Sequence, residues 1–220
     1  MLFLGSRSKP GAGFTLVELL VVMGIIAILL VATIPAMKSL STSNGRKVTA
    51  SLLLGEIEQA RALAIKDRRP SYVAFAAQPT DASSSISDTT ILDRYFYHSA
   101  AIYEEDPSDN TKKIQVTPWK VFPTGVSLRT EISFSGSKGA WTSSDFAFTP
   151  SGTGASENFP YIKFDESGAL AAPSPSASGP ILLRFFEGFV SGTYEKPTSK
   201  ANKDETISIA RTTGRATYVP

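Results

Sequence analysis

A long apolar stretch near the N-terminus is the strongest pattern in the chain. From Phe14 to Ile34 only one residue, Glu18, is charged, and no side chain between Leu19 and Ala32 is polar. A helix rises 1.5 Å per residue, so the stretch would be about 31 Å long, close to the thickness of a bilayer's hydrocarbon core. A helix buried in a soluble protein normally keeps a polar stripe, and this one has none. The pattern therefore predicts a membrane-spanning helix.

The flanks of the apolar stretch predict its orientation. Arg7 and Lys9 precede it, and the positive-inside rule keeps such residues in the cytoplasm. We therefore expect a single-pass protein with a cytoplasmic N-terminus, whose later residues lie on the other side of the membrane. The small residues 11–13 come before the apolar stretch, whereas a conventional secretory signal has its cleavage site after it. Cleavage at this point would leave the apolar helix on the mature chain.

Helical periodicity continues over residues 38–69 and predicts an amphipathic helix. The apolar positions of one face are Leu53, Ile57, Ala60 and Ala64. Polar residues fall on the other faces, among them Glu56, Glu58, Gln59 and Arg61. Pro70 ends the pattern, because proline cannot continue a helix. We expect the apolar face of this helix to pack on a sheet.

After Pro70 the pattern changes to short segments rich in β-branched and aromatic residues, which predict strands. The predicted strands are 71–77, 94–103, 114–122, 125–134, 161–165, 181–190, 206–211 and 215–219. The segments 80–90, 135–141 and 171–180 are predicted as loops or turns because they are rich in Ser, Gly, Pro and Asp. The fold class predicted is α+β, with a long N-terminal helix packed on an antiparallel β-rich head.

The absence of Cys and the single His exclude most metalloenzyme and catalytic-triad sites, and the nearly neutral charge argues against nucleic-acid binding by bulk charge. The chain has 22 basic and 20 acidic residues, and Arg7 and Lys9 account for the excess. It has no Cys, which removes thiol nucleophiles and Cys-ligated metals, and His98 is its one His. We interpret His98 as a core or surface residue, and the S-x-x-K match at Ser135 lacks its companion motifs. The sequence predicts no catalytic residues, no cofactor and no metal site.

Two charged regions have alternative interpretations. Residues 104–110 contain four acids and an Asn, which could bind calcium, but an ordinary solvated hairpin loop is the simpler interpretation. Arg61, Lys66, Arg68 and Arg69 form a basic helix end that could contact phosphate groups. A basic helix C-terminus that complements its own dipole explains them more simply. Nucleic acid is therefore not an expected partner.

The segment Gly13-Phe-Thr-Leu-Val-Glu18, with its short basic leader and long apolar continuation, resembles the N-terminus of type IV prepilins and type II secretion pseudopilins. The resemblance implies that a prepilin peptidase cleaves after Gly13 and methylates the new N-terminal Phe14. It also implies that Glu18 pairs with the N-terminal amine of a neighbouring subunit and so sets the register of a filament. A carboxylate in a membrane span is costly unless it is paired, which agrees with such a role. Pro35 is expected to kink the helix.

Three further stretches resemble one group within this family. Residues 59–66 with the following Arg68-Arg69-Pro70 resemble the helix end of the H-type (GspH/FimT) pseudopilins, and residues 164–168 and 207–216 resemble the strand–turn–strand ending of that group. Gly168 and Gly214 would supply the turn positions. Residues 78–160 are longer and richer in loops than that group has, so a pilin-like cassette protein of the Verru_Chthon type is the other relative considered.

The predicted organisation has four parts: a leader at 1–13, a transmembrane or filament-core helix at 14–37, an amphipathic helix at 38–69 and a β-rich head at 70–220. The predicted function is that of a minor structural subunit of a type II secretion or type IV pilus-like filament, held in the bacterial inner membrane until assembly. Its expected partners are the prepilin peptidase, other pilin subunits, the inner-membrane assembly platform and lipid. The alternative is a nucleic-acid-binding minor pilin of a DNA-uptake system.

Overall fold

The structure is a computed structural model. It describes residues 15–77, 94–110, 112–134, 137–140, 159–172, 179–191, 194–198 and 204–219, and for residues 30–43, 131–134, 137–140 and 172 it describes the backbone alone. The chain divides into two units, residues 1–41 and residues 42–220. The predicted loop at 80–90 and most of the predicted loop at 171–180 lie outside the described residues.

A single long helix, α1, spans Leu16–Asp67. Thr15 caps its start: the Thr15 hydroxyl oxygen accepts the backbone N–H of Glu18 at 3.2 Å, and its carbonyl oxygen accepts that of Leu19. The helix ends before Arg68, which has a left-handed φ of 49°, and Pro70 follows. The helix thus ends where the sequence predicts. Within the part of the chain whose side chains are described, no helix is both long and apolar enough to cross a membrane.

The rest of the chain forms two antiparallel sheets. The strands are β1 Ser71–Phe75, β2 Ser99–Glu105, β3 Lys113–Gln115, β4 Lys120–Val121, β5 Val126–Leu128, β6 Glu131–Phe134, β7 Ser137–Ala140, β8 Tyr161–Phe164, β9 Leu170–Ala172, β10 Ile181–Ser191, β11 Tyr194–Pro197, β12 Glu205–Ile209 and β13 Ala216–Val219. The first sheet has the order β3-β2-β1-β8-β9, with β4 beside β2. The second has the order β13-β12-β10-β6-β7, with β5 and β11 also paired to β10. The α+β class with an antiparallel head is therefore confirmed.

The core lies between the helix and the sheets. All four residues of the predicted apolar helix face are fully buried. They pack with Val73 and Phe75 of β1, Ile162 of β8 and residues of β10 and β12 in one cluster. Burying such a face is what stabilises an amphipathic helix in a protein.

A second apolar cluster covers the opposite face of β1. Tyr72, Ala74 and Ala76 pack there with Tyr103 and Phe159. Every residue of β1 is therefore buried, although an antiparallel strand commonly has one face in solvent. The continuous apolar character of residues 72–77 is consistent with this two-sided burial.

The strand predictions are correct in place for most segments and wrong at four points. Residues 94–98 are predicted to begin a strand, but they form a turn, in which Tyr97 has a φ of 59°. Strands β7 and β9 form where turns or loops are predicted, and β11 is not predicted. These short strands have little β propensity of their own, and each forms beside a neighbouring strand that offers it backbone hydrogen bonds.

A charged network ties the second sheet together. Arg129, which follows β5, makes ion pairs with Glu195 of β11 and with Asp204 before β12. Its guanidinium also lies 4.2 Å from the centre of the Phe186 ring. The backbone N–H and the hydroxyl of Thr130 donate to the second oxygen of Glu195, at 2.8 and 3.0 Å. Three chain segments distant in sequence thus share one polar cluster.

Arg129→Ala should lower the free energy of unfolding by about 2 kcal/mol at neutral pH, because two half-buried carboxylates lose their charged donor. Burial alone would raise the pKa of Glu195, but hydrogen bonds from Thr130 and Arg129 outweigh it and hold that pKa below its ordinary value. The stabilisation from Glu195 is therefore present above the ordinary glutamate pKa and is lost as the pH falls through the lowered value. Chemical unfolding of the unaltered protein and of Arg129→Ala at pH 7 and at pH 3 measures the difference in the free energy of unfolding at each pH.

The matched control is Arg184→Ala. Arg184 is also a half-buried arginine of the same sheet, and the described residues give it no ion pair. We expect this change to lower the free energy of unfolding by about 0.5 kcal/mol at both pH values, as is usual for a residue that makes no ion pair. Equal losses for the two variants, or a loss for Arg129→Ala that does not shrink at pH 3, would contradict the role of the network.

Candidate functional site

The beginning of α1 presents an apolar surface on all sides. Every described side chain from Leu16 to Leu29 is exposed, and exposure of the large apolar ones ranges from 47% at Val22 to 82% at Leu16. Isolated exposed apolar residues are normal in proteins, but a continuous apolar surface of this kind marks a region that contacts lipid or protein. The surface requires an apolar environment.

Glu18 is the one charged residue on this surface. Its side chain is exposed, and its backbone N–H is satisfied by the Thr15 cap. It lies in the first turn of α1, where a carboxylate is favoured by the helix dipole. The carboxylate is therefore available to a cation that approaches the start of the helix.

The other predicted site residues are described incompletely. Gly13 and Phe14 lie outside the described residues. Pro35 lies within the backbone range of α1, and its side chain is outside the description. Cleavage at Gly13, methylation of Phe14, the pairing of Glu18 and the kink at Pro35 all stay predictions.

The family comparison concerns this N-terminal region. Residues 9–34 match the family described as the prokaryotic N-terminal methylation motif, and this range contains Gly13, Phe14 and Glu18. These residues therefore carry the prepilin-type motif that the sequence predicts. No curated protein matches the chain.

One solved structure is similar in fold. The crystal structure of the type IV minor pilin FimU of Pseudomonas aeruginosa shares 12% sequence identity with this chain, at a TM-score of 0.41. The similarity covers 82% of this chain and 92% of FimU.

The three stretches that carry the finer resemblance lie together in the head. The guanidinium of Arg61 donates through Nε to the carbonyl of Thr213 at 2.6 Å. A Cβ placed on Gly168 would lie 2.6 Å from the side chain of Ile65, and one placed on Gly214 would lie 2.0 Å from the carbonyl oxygen of Gly168. The helix end, the β8–β9 turn and the last turn therefore form one closely packed junction. The H-type assignment itself stays a prediction.

The acidic stretch 104–110 forms a hairpin between β2 and β3. Glu105 accepts a hydrogen bond from Tyr72 and lies 3.7 Å from both Lys113 and Lys163. Ser108 donates to Asp106 through its N–H and its hydroxyl, which lowers the pKa of Asp106. Among the described residues no cluster of metal-ligating side chains is present. Cations of the chain itself therefore occupy the positions near Glu105.

The basic helix end is paired within the chain to a large extent. Arg61 bridges Glu58 and Thr213, and Lys66 lies 3.7 Å from Asp67. Arg69 donates to the carbonyl of Glu105 and lies 4.0 Å from the carboxylate of Glu104. Both ring nitrogens of His98 contact backbone carbonyl oxygens, in agreement with its interpretation as a structural residue. Contacts within the chain therefore engage Arg61, Lys66 and Arg69.

The sequence analysis missed a buried carboxylate on the helix. Glu56, placed among the polar faces, is fully buried, pairs with Lys120 of β4 and lies 3.4 Å from the hydroxyl of Thr117. Glu56 stands three residues after Leu53 and four before Ala60, so it borders the apolar face. That spacing was the available signal. Its partners, Thr117 between β3 and β4 and Lys120 in β4, lie 61 or more residues later and could not be predicted from the helix.

Proposed function

We propose that this protein is a minor pilin or pseudopilin that is held in the bacterial inner membrane by its N-terminal helix and is then incorporated into a filament. The observation that carries the proposal is the exposed apolar surface of residues 16–29 with its single carboxylate at Glu18. A bilayer covers such a surface before assembly, and the helices of neighbouring subunits cover it afterwards. Both environments are apolar, so the exchange costs little hydrophobic free energy.

Orientation follows from the basic leader. Arg7 and Lys9 hold residues 1–13 in the cytoplasm, residues 14–37 cross the membrane, and the head at 70–220 lies in the periplasm. Residues 38–69 form the amphipathic helix that connects the two. The partners of this stage are the lipid bilayer and the inner-membrane assembly platform.

Processing prepares the subunit for assembly. The prepilin peptidase cleaves after Gly13, and Phe14 becomes the methylated N-terminus with a positive amine. Glu18 of an incoming subunit pairs with the amine of its neighbour, which neutralises two charges in an apolar medium and fixes the register. Pro35 provides a point at which the helix bends, because proline removes one backbone hydrogen bond.

The filament is of the type II secretion or type IV pilus kind. Nucleic-acid binding in a DNA-uptake system receives less support, because Arg61 and Arg69 are engaged by groups of the head itself. Genes for a secretion ATPase and a secretin beside the gene of this protein would favour a secretion filament. Competence genes in that position would favour the DNA-uptake alternative.

Mass spectrometry of the membrane-extracted protein tests the proposal. In cells with active peptidase we expect loss of residues 1–13 and one added methyl group on Phe14. Gly13→Val should abolish this processing, because a branched side chain crowds the position before the cleaved bond. Gly11→Val is the matched control and should be processed normally. An intact Met1 terminus on the unmodified protein would contradict the proposal.

A further inference from the structure

The β10–β11 hairpin exposes an aromatic face. Phe189 of β10 pairs with Lys196 of β11, and Ser191 pairs with Tyr194. Directly paired residues of antiparallel strands lie on the same face, and so do residues two apart in one strand, so these four share a face. Phe189 is 56% exposed, Tyr194 is 75% exposed, and Ser191 and Lys196 are also exposed.

The base of this hairpin lies near the first helical residues of the unit formed by residues 42–220. Glu187 of β10 pairs with Val126 of β5, and the Gly188 N–H donates to the carbonyl of Gly125 at 2.8 Å. The side chain of Val126 in turn lies 3.4 Å from the position of a Cβ on Gly45. The hairpin therefore starts near Gly45, close to the N-terminal end of residues 42–220.

The other end of β10 lies further along the helix. Ile181 pairs with Ile209, and Ile209 pairs with Ala216. The N–H of Ala216 donates to Glu58 at 3.0 Å. From Ile181 to Glu187, β10 thus runs antiparallel to the helix between Glu58 and Gly45. The strand continues past Gly188 to Ser191, so the hairpin lies at that end of residues 42–220.

The chemistry of the projecting face matches a lipid headgroup region. Tyrosine and other aromatic side chains are enriched at the membrane–water interface, and basic side chains near it are attracted by anionic lipids. The ammonium of Lys196 lies 5.6 Å from the centre of the Phe189 ring, so the aromatic and basic groups form one surface. Glu195 lies on the opposite face, where Arg129 pairs with it and with Asp204.

We propose that the Phe189, Tyr194 and Lys196 face of the hairpin docks on the lipid headgroups of the membrane that holds the N-terminal helix. The proposal rests on the membrane anchoring proposed above. Docking orders the head against the membrane before the subunit enters the filament, because it adds a second attachment next to the first. Incorporation into the filament would then require this contact to be released.

The test uses the full-length chain in vesicles that contain phosphatidylglycerol. The chain has no Cys, so a single Cys introduced at Ser191, Thr212 or Leu20 can carry one fluorophore. Thr212 is exposed and adjoins Thr213, which contacts Arg61 at the far end of the head. We expect headgroup nitroxides to quench the probe at Ser191, acyl-chain nitroxides to quench the probe at Leu20, and neither to quench the probe at Thr212.

Variants of the hairpin sharpen the test. Phe189→Ser with Tyr194→Ser should reduce quenching at Ser191 to the level seen at Thr212, whereas Val219→Ser, an exposed apolar control on β13, should leave it unchanged. Lys196→Gln should weaken the quenching in vesicles with phosphatidylglycerol and have little effect in phosphatidylcholine alone.

Three outcomes would overturn the inference. In the first, the probe at Leu20 is quenched and the probe at Ser191 behaves like the one at Thr212. This result would contradict hairpin docking and leave the membrane anchoring supported. In the second, the probe at Leu20 is not quenched, which would contradict both the membrane anchoring and the hairpin docking. A probe at Ser191 that ignores lipid quenchers and becomes shielded only in assembled filaments would assign the face to a neighbouring subunit.

Discussion

Glu18→Val is expected to insert into the membrane and to be processed, but to enter filaments at least about 100-fold less than the unaltered protein. The change makes the span more apolar, so insertion does not suffer. In the filament it leaves the amine of a neighbouring Phe14 unpaired in an apolar medium. Removing one partner of a buried ion pair costs about 3–5 kcal/mol, and about 1.4 kcal/mol corresponds to tenfold. Quantitative immunoblotting of sheared filaments and of membranes measures the ratio.

Two controls separate charge from packing. Glu18→Gln keeps the size of the side chain and removes its charge, so it should lose incorporation nearly as strongly as Glu18→Val. Leu19→Val alters the next position on the same apolar surface and should be incorporated normally. Wild-type incorporation of Glu18→Val along the filament would contradict the register role. Tolerance confined to a subunit crosslinked at the filament tip would identify this protein as an initiator, because a tip subunit has no earlier amine to meet.

Gly214→Ala is expected to lower the free energy of unfolding by about 3 kcal/mol. Gly214 has a φ of 63°, a left-handed conformation that costs about 1–2 kcal/mol for a residue with a Cβ. The added Cβ would also lie 2.0 Å from the Gly168 carbonyl oxygen and 3.0 Å from the Phe164 ring. Relieving such a clash in a packed region costs about 1–3 kcal/mol more. The melting temperature of the detergent-solubilised chain should fall by about 10 °C.

The matched control is Gly55→Ala, which should act in the opposite direction. Gly55 is exposed on the helix, and nothing outside the local helix backbone lies within 4 Å of its added Cβ. Alanine is favoured over glycine in a helix interior by about 1 kcal/mol, so the variant should be more stable than the unaltered chain. A Gly214→Ala protein that melts at the unaltered temperature would show that the last turn does not pack on the helix end as described.

The sequence by itself determined the features that depend on local periodicity. The buried helix face of Leu53 and Ile57, the helix end before Pro70 and the positions of the long strands are all confirmed. Each follows from a repeat of apolar positions or from a residue with restricted backbone angles. These two signals depend only on residues that are neighbours in the sequence. The N-terminal motif could also be recognised from the sequence alone, since it lies within one continuous stretch at 9–34.

Only the tertiary structure decided the features that join distant segments. The burial of Glu56 depends on Lys120 and Thr117, and the junction of Arg61 with Gly168 and Gly214 spans more than 150 residues. Strands β7, β9 and β11 form because β6, β8 and β10 present backbone groups beside them, and their own composition does not require it. A periodic pattern specifies which face of an element is apolar. It carries no information about which element will cover that face, because hydrophobic burial is non-directional and the partner is set by the packing of the whole head.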